Sequence, residues 1–159
     1  MIRKAHAGAL TASFAVMFAS LPLLAADPLT WPWKSKLPPD PALAQLTSVE
    51  DVTAVISKSD PPIVSITVNA SAPTPNFSEL QLAPRIGDPK DVIFAFDAKG
   101  RPPQDMTIQI VSPVSFTAEY VDAPVDKIGV IEVHSQSNCK AFAVKEQKPA
   151  DCTSQSSPQ

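Results

Sequence analysis

Between Pro61 and Pro124 proline interrupts the chain at short intervals, and between the interruptions apolar and polar side chains alternate. The clearest stretch is Pro62 to Leu82, PIVSITVNASAPTPNFSELQL. Val64, Ile66, Val68 and Ala70 alternate with Ser65, Thr67, Asn69 and Ser71, the two-residue period of a half-buried strand. Ala-Pro-Thr-Pro-Asn then breaks the ladder, because a proline ring carries no backbone N–H to donate. Alternation resumes at Leu80 and Leu82. A chain patterned this way forms many short strands and no long helix.

The same pattern continues downstream. Val92, Phe94 and Phe96 share a face, and Asp97 to Gly100 followed by Arg101-Pro-Pro predicts a turn. Met106, Ile108 and Ile110 predict the next strand. Pro113 is expected to kink or bulge the sheet ahead of Val114, Phe116, Ala118 and Tyr120. Ile128 to Val133 and Lys140 to Val144 complete a set of seven. Leu46 to Lys58 reads as a short helix, with Val49, Val52, Val55 and Ile56 on one face and capping-box spacing at Thr47/Glu50 and Ser48/Asp51. Its β-branched residues leave a strand at 52–57 as the alternative. The expected fold is all-β: an antiparallel, immunoglobulin-like sandwich, with a closed barrel as the structural alternative. A hydrophobic content of 44% argues against reading the abundant proline as disorder.

The ends read differently. Arg3 and Lys4, the apolar run Ala7 to Leu24 and the small residues Ala25 and Ala26 form a secretory signal, predicting cleavage before Asp27 and a periplasmic or secreted product. The absence of a second apolar run predicts no membrane span after cleavage. Loss of Arg3 and Lys4 leaves 11 basic against 16 acidic residues. Such an acidic chain is a poor partner for nucleic acid, whose phosphates demand clustered cations. Residues 27–45 form an extended Pro-rich leader with both tryptophans, Trp31 and Trp33. These either dock back onto the domain or stay exposed as contacts for a partner. The sandwich is assigned to 46–145 and a polar tail to 146–159.

The stretches ITVNASAPTPNFSELQL, FAFDAKGRPP and IGVIEVHSQSN, in that order, resemble a loosely defined group of small exported bacterial proteins of unknown function. The resemblance spans about 62–144, implies a β-sandwich and brings no catalytic motif.

Side chains able to carry chemistry are sparse. Cys139 and Cys152 are the only cysteines, and an even count in an exported chain predicts a disulfide. His134 is the one histidine left after removal of His6. With Glu132 on the same side of a strand it could begin a metal site, but with no second histidine it is expected as a polar residue on the solvent face of an edge strand. Asp88, Asp91, Asp97, Asp105, Glu119, Asp122 and Asp126 flank turns, where aspartate satisfies local backbone donors. No calcium loop, phosphate-binding glycine loop or nucleophile elbow is present. The expectation is therefore a non-catalytic module with no catalytic residue, metal or cofactor, binding a protein or carbohydrate of the cell envelope. The alternatives are a secreted hydrolase using loop carboxylates and an exported metal-handling sandwich.

Overall fold

A computed structural model describes residues 29–35, 40–85 and 92–153. The signal segment, Asp88, Asp91 and the last residues of the tail lie outside the described residues. Among these residues ten strands form two mixed sheets around one core. The first sheet has the order β1 (Leu29–Thr30), β7 (Ser112–Val121), β4 (Ile63–Ala72), β3 (Ser48–Ser57). The second runs β10 (Lys148–Ala150), β9 (Cys139–Ala143), β8 (Val130–His134), β6 (Ile93–Arg101), β2 (Ala44–Gln45), and β5 (Ser78–Pro84) also pairs with β6.

The alternation of β4 is realised as read: Val64, Ile66, Val68, Ala70 and Ala72 are buried against Phe94, Phe96, Ile131 and Val133 of the facing sheet. Burying each large apolar side chain contributes about 1.5–3 kcal/mol before entropy is subtracted. The expectation of an antiparallel fold is corrected at two places: β6 and β8 run parallel, Ile93 opposite Val130 through Asp97 opposite His134, and β1 runs parallel to β7.

The helix expected at 46–58 is instead β3. A bulge between Val49 and Asp51 adds one residue to the strand. Val49 and Val52, three apart, therefore both face the core, which imitates helical spacing. Beyond the bulge a two-residue period returns, with Val52 and Ala54 inside and Val55 outside.

Asp97 to Arg101, expected as a turn, continues β6. Gly100 allows this, since a Cβ there would lie 2.8 Å from Leu80 Cδ2 and 3.0 Å from Phe77 Cδ1. Pro113 causes neither kink nor bulge. It pairs in register with Ser71, and the other edge of β7 has no strand partner at that end among the described residues, so its missing N–H breaks no ladder. The strand expected at Met106 to Ile110 does not form, and its apolar side chains are exposed. Its alternation was genuine, but no strand among the described residues pairs with it.

The ends are built into the sheets. Leu29 and Thr30 add to the edge of β7, and the Trp31 N–H donates to Val121 O at 3.1 Å. Trp31 is 1% exposed, edge-on to Phe94, Phe96 and Tyr120 at centroid distances of 5.2, 5.9 and 5.5 Å. It therefore cannot serve as an exposed partner contact, because its ring is part of the core. Trp33, on the single helical turn Pro32–Ser35, is half-buried against Phe94 and Phe96. Arg101 bridges Asp40 at 3.0 Å and Glu79 at 2.8 Å, tying the later leader to β5.

Candidate functional site

β6 and β8 each present one face to the core and another outward. Ile131 and Val133 point inward, so Glu132 and His134 point to the outer face of the second sheet. Ala95 lies opposite Glu132 on β6, and Ala141 lies opposite it on β9. These two short side chains leave room above the strand, and the C-terminal segment fills it. Thr153 donates to Glu132 Oε1 through its backbone N–H at 2.7 Å and its hydroxyl at 2.6 Å. Cys152, one residue earlier, forms the expected disulfide with Cys139, the register partner of His134.

The result overturns the solvent-exposed, edge-strand placement of His134. β8 lies between β6 and β9, Glu132 is 1% exposed and His134 6%. Buried carboxylates and imidazoles persist only with partners, since an unpaired charge removed from water costs several kcal/mol. Here Glu132 Oε2 lies 3.3 Å from His134 Nε2, and Cys139 Sγ lies 3.6 Å from the same nitrogen. Burial, aided by the Arg85 charge, lowers the His134 pKa below the usual imidazole value, while Glu132 and Asp97 oppose that shift. Asp97, the β6 neighbour of His134, accepts from Gln45 Nε2 at 3.2 Å and lies 3.5 Å from Arg85 Nε.

This grouping resembles a Cys-His-acid constellation in composition but not in geometry. A relay needs the carboxylate on one ring nitrogen and the nucleophile on the other. Here both approach Nε2, and the sulfur is held in a disulfide.

The remaining carboxylates are dispersed. Glu119 accepts from Ser65 on the outer face of the first sheet. Asp122 sits at a positive φ of 58° in the turn after β7, and Asp105 lies in the β6–β7 loop. Sequence reasoning paired Glu132 with His134 and Cys139 with Cys152 but did not bring the two pairs together, and it missed Thr153. The only available signal was that Thr153 follows Cys152, so a disulfide to Cys139 delivers it to the end of β8. No family model, curated protein or solved structure matches this chain, so side-chain geometry is the guide to its function.

Proposed function

We propose that this chain is a non-catalytic module of the periplasm or extracellular space that binds a protein partner of the cell envelope through its β6–β7 loop. The observation that carries this reading is the exposure of Met106, Ile108, Ile110 and Val111 in a loop whose apolar alternation finds no strand partner among the described residues. Contiguous exposed apolar side chains of this kind mark contact surfaces. Aliphatic side chains suit a protein partner better than a carbohydrate, which is recognised by polar groups and flat aromatic rings. Export is supported by the signal-like first residues and by the disulfide, a bond that persists in oxidising compartments. No helix among the described residues is long and apolar enough to cross a membrane. The immunoglobulin-like comparison belongs to this proposal as a scaffold of two sheets carrying a binding loop. The parallel β6–β8 pair departs from the antiparallel connectivity of that fold. The resemblance to small exported bacterial β-sandwich proteins supports the same reading.

A pull-down from a cell-envelope extract tests it, comparing the wild-type chain with the triple variant Met106→Ser, Ile108→Ser, Ile110→Ser. The expected result is a protein retained by the wild type and lost with the variant. An identical retained set for both, or none for either, refutes the loop as the contact surface.

A further inference from the structure

Three ligand-type atoms, Glu132 Oε2, His134 Nε2 and Cys139 Sγ, converge on the outer face of the second sheet within 4.8 Å of one another. A fourth, Cys152 Sγ, is bonded to the third. We propose that reduction of the Cys139–Cys152 disulfide opens a four-ligand Zn2+ site formed by Cys139, Cys152, His134 and Glu132, which the disulfide keeps closed.

The spacing fits this ion. Zn2+ binds sulfur at about 2.3 Å and nitrogen or oxygen at about 2.0–2.2 Å, usually as a tetrahedron in structural sites. Those bond lengths place a nitrogen and an oxygen ligand about 3.4 Å apart and a nitrogen and a sulfur ligand about 3.6 Å apart. The corresponding separations here are 3.3 Å and 3.6 Å. Two tetrahedral edges therefore exist before any metal arrives. The oxygen–sulfur edge, about 3.6 Å on zinc, has still to close from a separation of up to 4.8 Å, and the sulfur–sulfur edge, about 3.8 Å for two thiolates on zinc, is one that a covalent S–S bond cannot span. Breaking that bond lets the sulfurs separate.

The surroundings orient the ligands as a metal site requires. Both Thr153 donors engage Glu132 Oε1, so Oε2 is the oxygen turned toward His134. Outer contacts of this kind fix a carboxylate for single-oxygen coordination. Glu132 and His134 also sit on β8, between two strands, which limits their freedom to move.

The chemistry balances with a dithiol reductant. The reductant supplies two electrons and two protons, the protein S–S bond breaks, two S–H bonds form, and the reductant closes its own disulfide. Zn2+ then displaces the two thiol protons and binds the thiolates, with no change in its own oxidation state.

The test uses the purified chain in two forms. One is left oxidised. The other is reduced with a phosphine, then separated from it by gel filtration without oxygen. Equilibrium dialysis against Zn2+ is expected to give one ion per chain in the reduced form and less than a tenth of that in the oxidised form. Co2+ in place of Zn2+ should show the visible bands of a tetrahedral ion with thiolate ligands. Glu132→Gln and His134→Ala should each weaken Zn2+ binding by tenfold or more. Thr153→Val leaves all four ligands in place and should weaken it less than either, but measurably. Far-ultraviolet circular dichroism reports whether each variant keeps its sheets. Absence of uptake by the reduced wild type, folded or not, overturns the proposal. Equal uptake by the oxidised form overturns it as well. Uptake unaffected by Glu132→Gln and His134→Ala leaves only a bare dithiol and refutes the four-ligand site.

Discussion

The same two strands, β6 and β8, support both the most apolar and the most polar buried regions of the molecule. On their inner faces Phe94, Phe96, Ile131 and Val133 meet Trp31 and Tyr120. On their outer faces Asp97, Glu132 and His134 meet Arg85, the disulfide and Thr153. Each region is closed by an end of the described chain. Residues 29–33 close the inner one by adding a strand edge and inserting an indole, while Cys152 and Thr153 close the outer one with a covalent bond and two hydrogen bonds. The difference lies in how readily each cover can be released. An indole between two sheets leaves only when the sheets part. A covalent clasp on the outside of a sheet can open by reduction while the core stays intact.

Trp31→Ala breaks this comparison most directly. Truncating a large buried aromatic costs about 3–5 kcal/mol, a large share of the roughly 5–15 kcal/mol that holds a domain folded. Urea unfolding of the variant should show a strongly lowered midpoint. A loss below 1 kcal/mol would mean that the leader covers the core without supporting it.

How much of this was legible in the sequence follows from where the covering groups come from. The inner faces of β4, β6 and β8 are readable because alternation is local: each strand carries its own inside and outside. The disulfide is readable from the count of two cysteines. The burial of Glu132 and His134 is not, because it depends on Thr153 and Cys152 arriving from a separate part of the chain. β1, β2 and β10 have two or three residues each, too few to display a period. β3 was misread because its bulge spaces Val49 and Val52 as a helix would. The 106–110 segment shows the converse, a sound period that becomes no strand because no neighbour among the described residues pairs with it.

Opening the outer clasp is the second test. The bridge joins residues 13 apart in sequence, and losing a loop constraint of that size costs about 3 kcal/mol in the chain-entropy account. Cys139→Ser with Cys152→Ser should therefore lower the urea midpoint while leaving tryptophan emission in the folded state unchanged, since Trp31 lies on the other side of β6. A red shift in the folded double variant would show that the two regions are coupled rather than independent.

A third test addresses the inner region through its one tyrosine. Burial raises the Tyr120 pKa well above its usual value, and its hydroxyl donates to Leu82 O at 3.2 Å. The unfolded chain loses this proton near pH 10, whereas the folded chain retains it. The stabilisation is therefore complete below pH 10 and is lost as pH rises from there toward the raised value, by about 1.4 kcal/mol per pH unit. Tyrosinate absorbance should appear together with the loss of near-ultraviolet circular dichroism. Ionisation near pH 10 with the fold intact would mean that solvent reaches the phenol.

The smallest expected effect on stability lies outside both regions, in the β6–β7 loop. Met106 is fully exposed, and Ile108 and Ile110 are more than half exposed, so serine at all three positions removes little packing. Exposed substitutions away from caps and buried networks usually change stability by no more than about 0.5 kcal/mol, and here a slight gain in solubility is also expected because an apolar patch is lost. The loop connects the two sheets, from Arg101 at the end of β6 to Ser112 at the start of β7. If its side chains pack against another part of the molecule in solution, the triple variant will unfold at clearly lower urea. An unchanged midpoint together with loss of a retained partner would separate the three buried or clasped elements that hold the fold from an exposed loop that acts on something else.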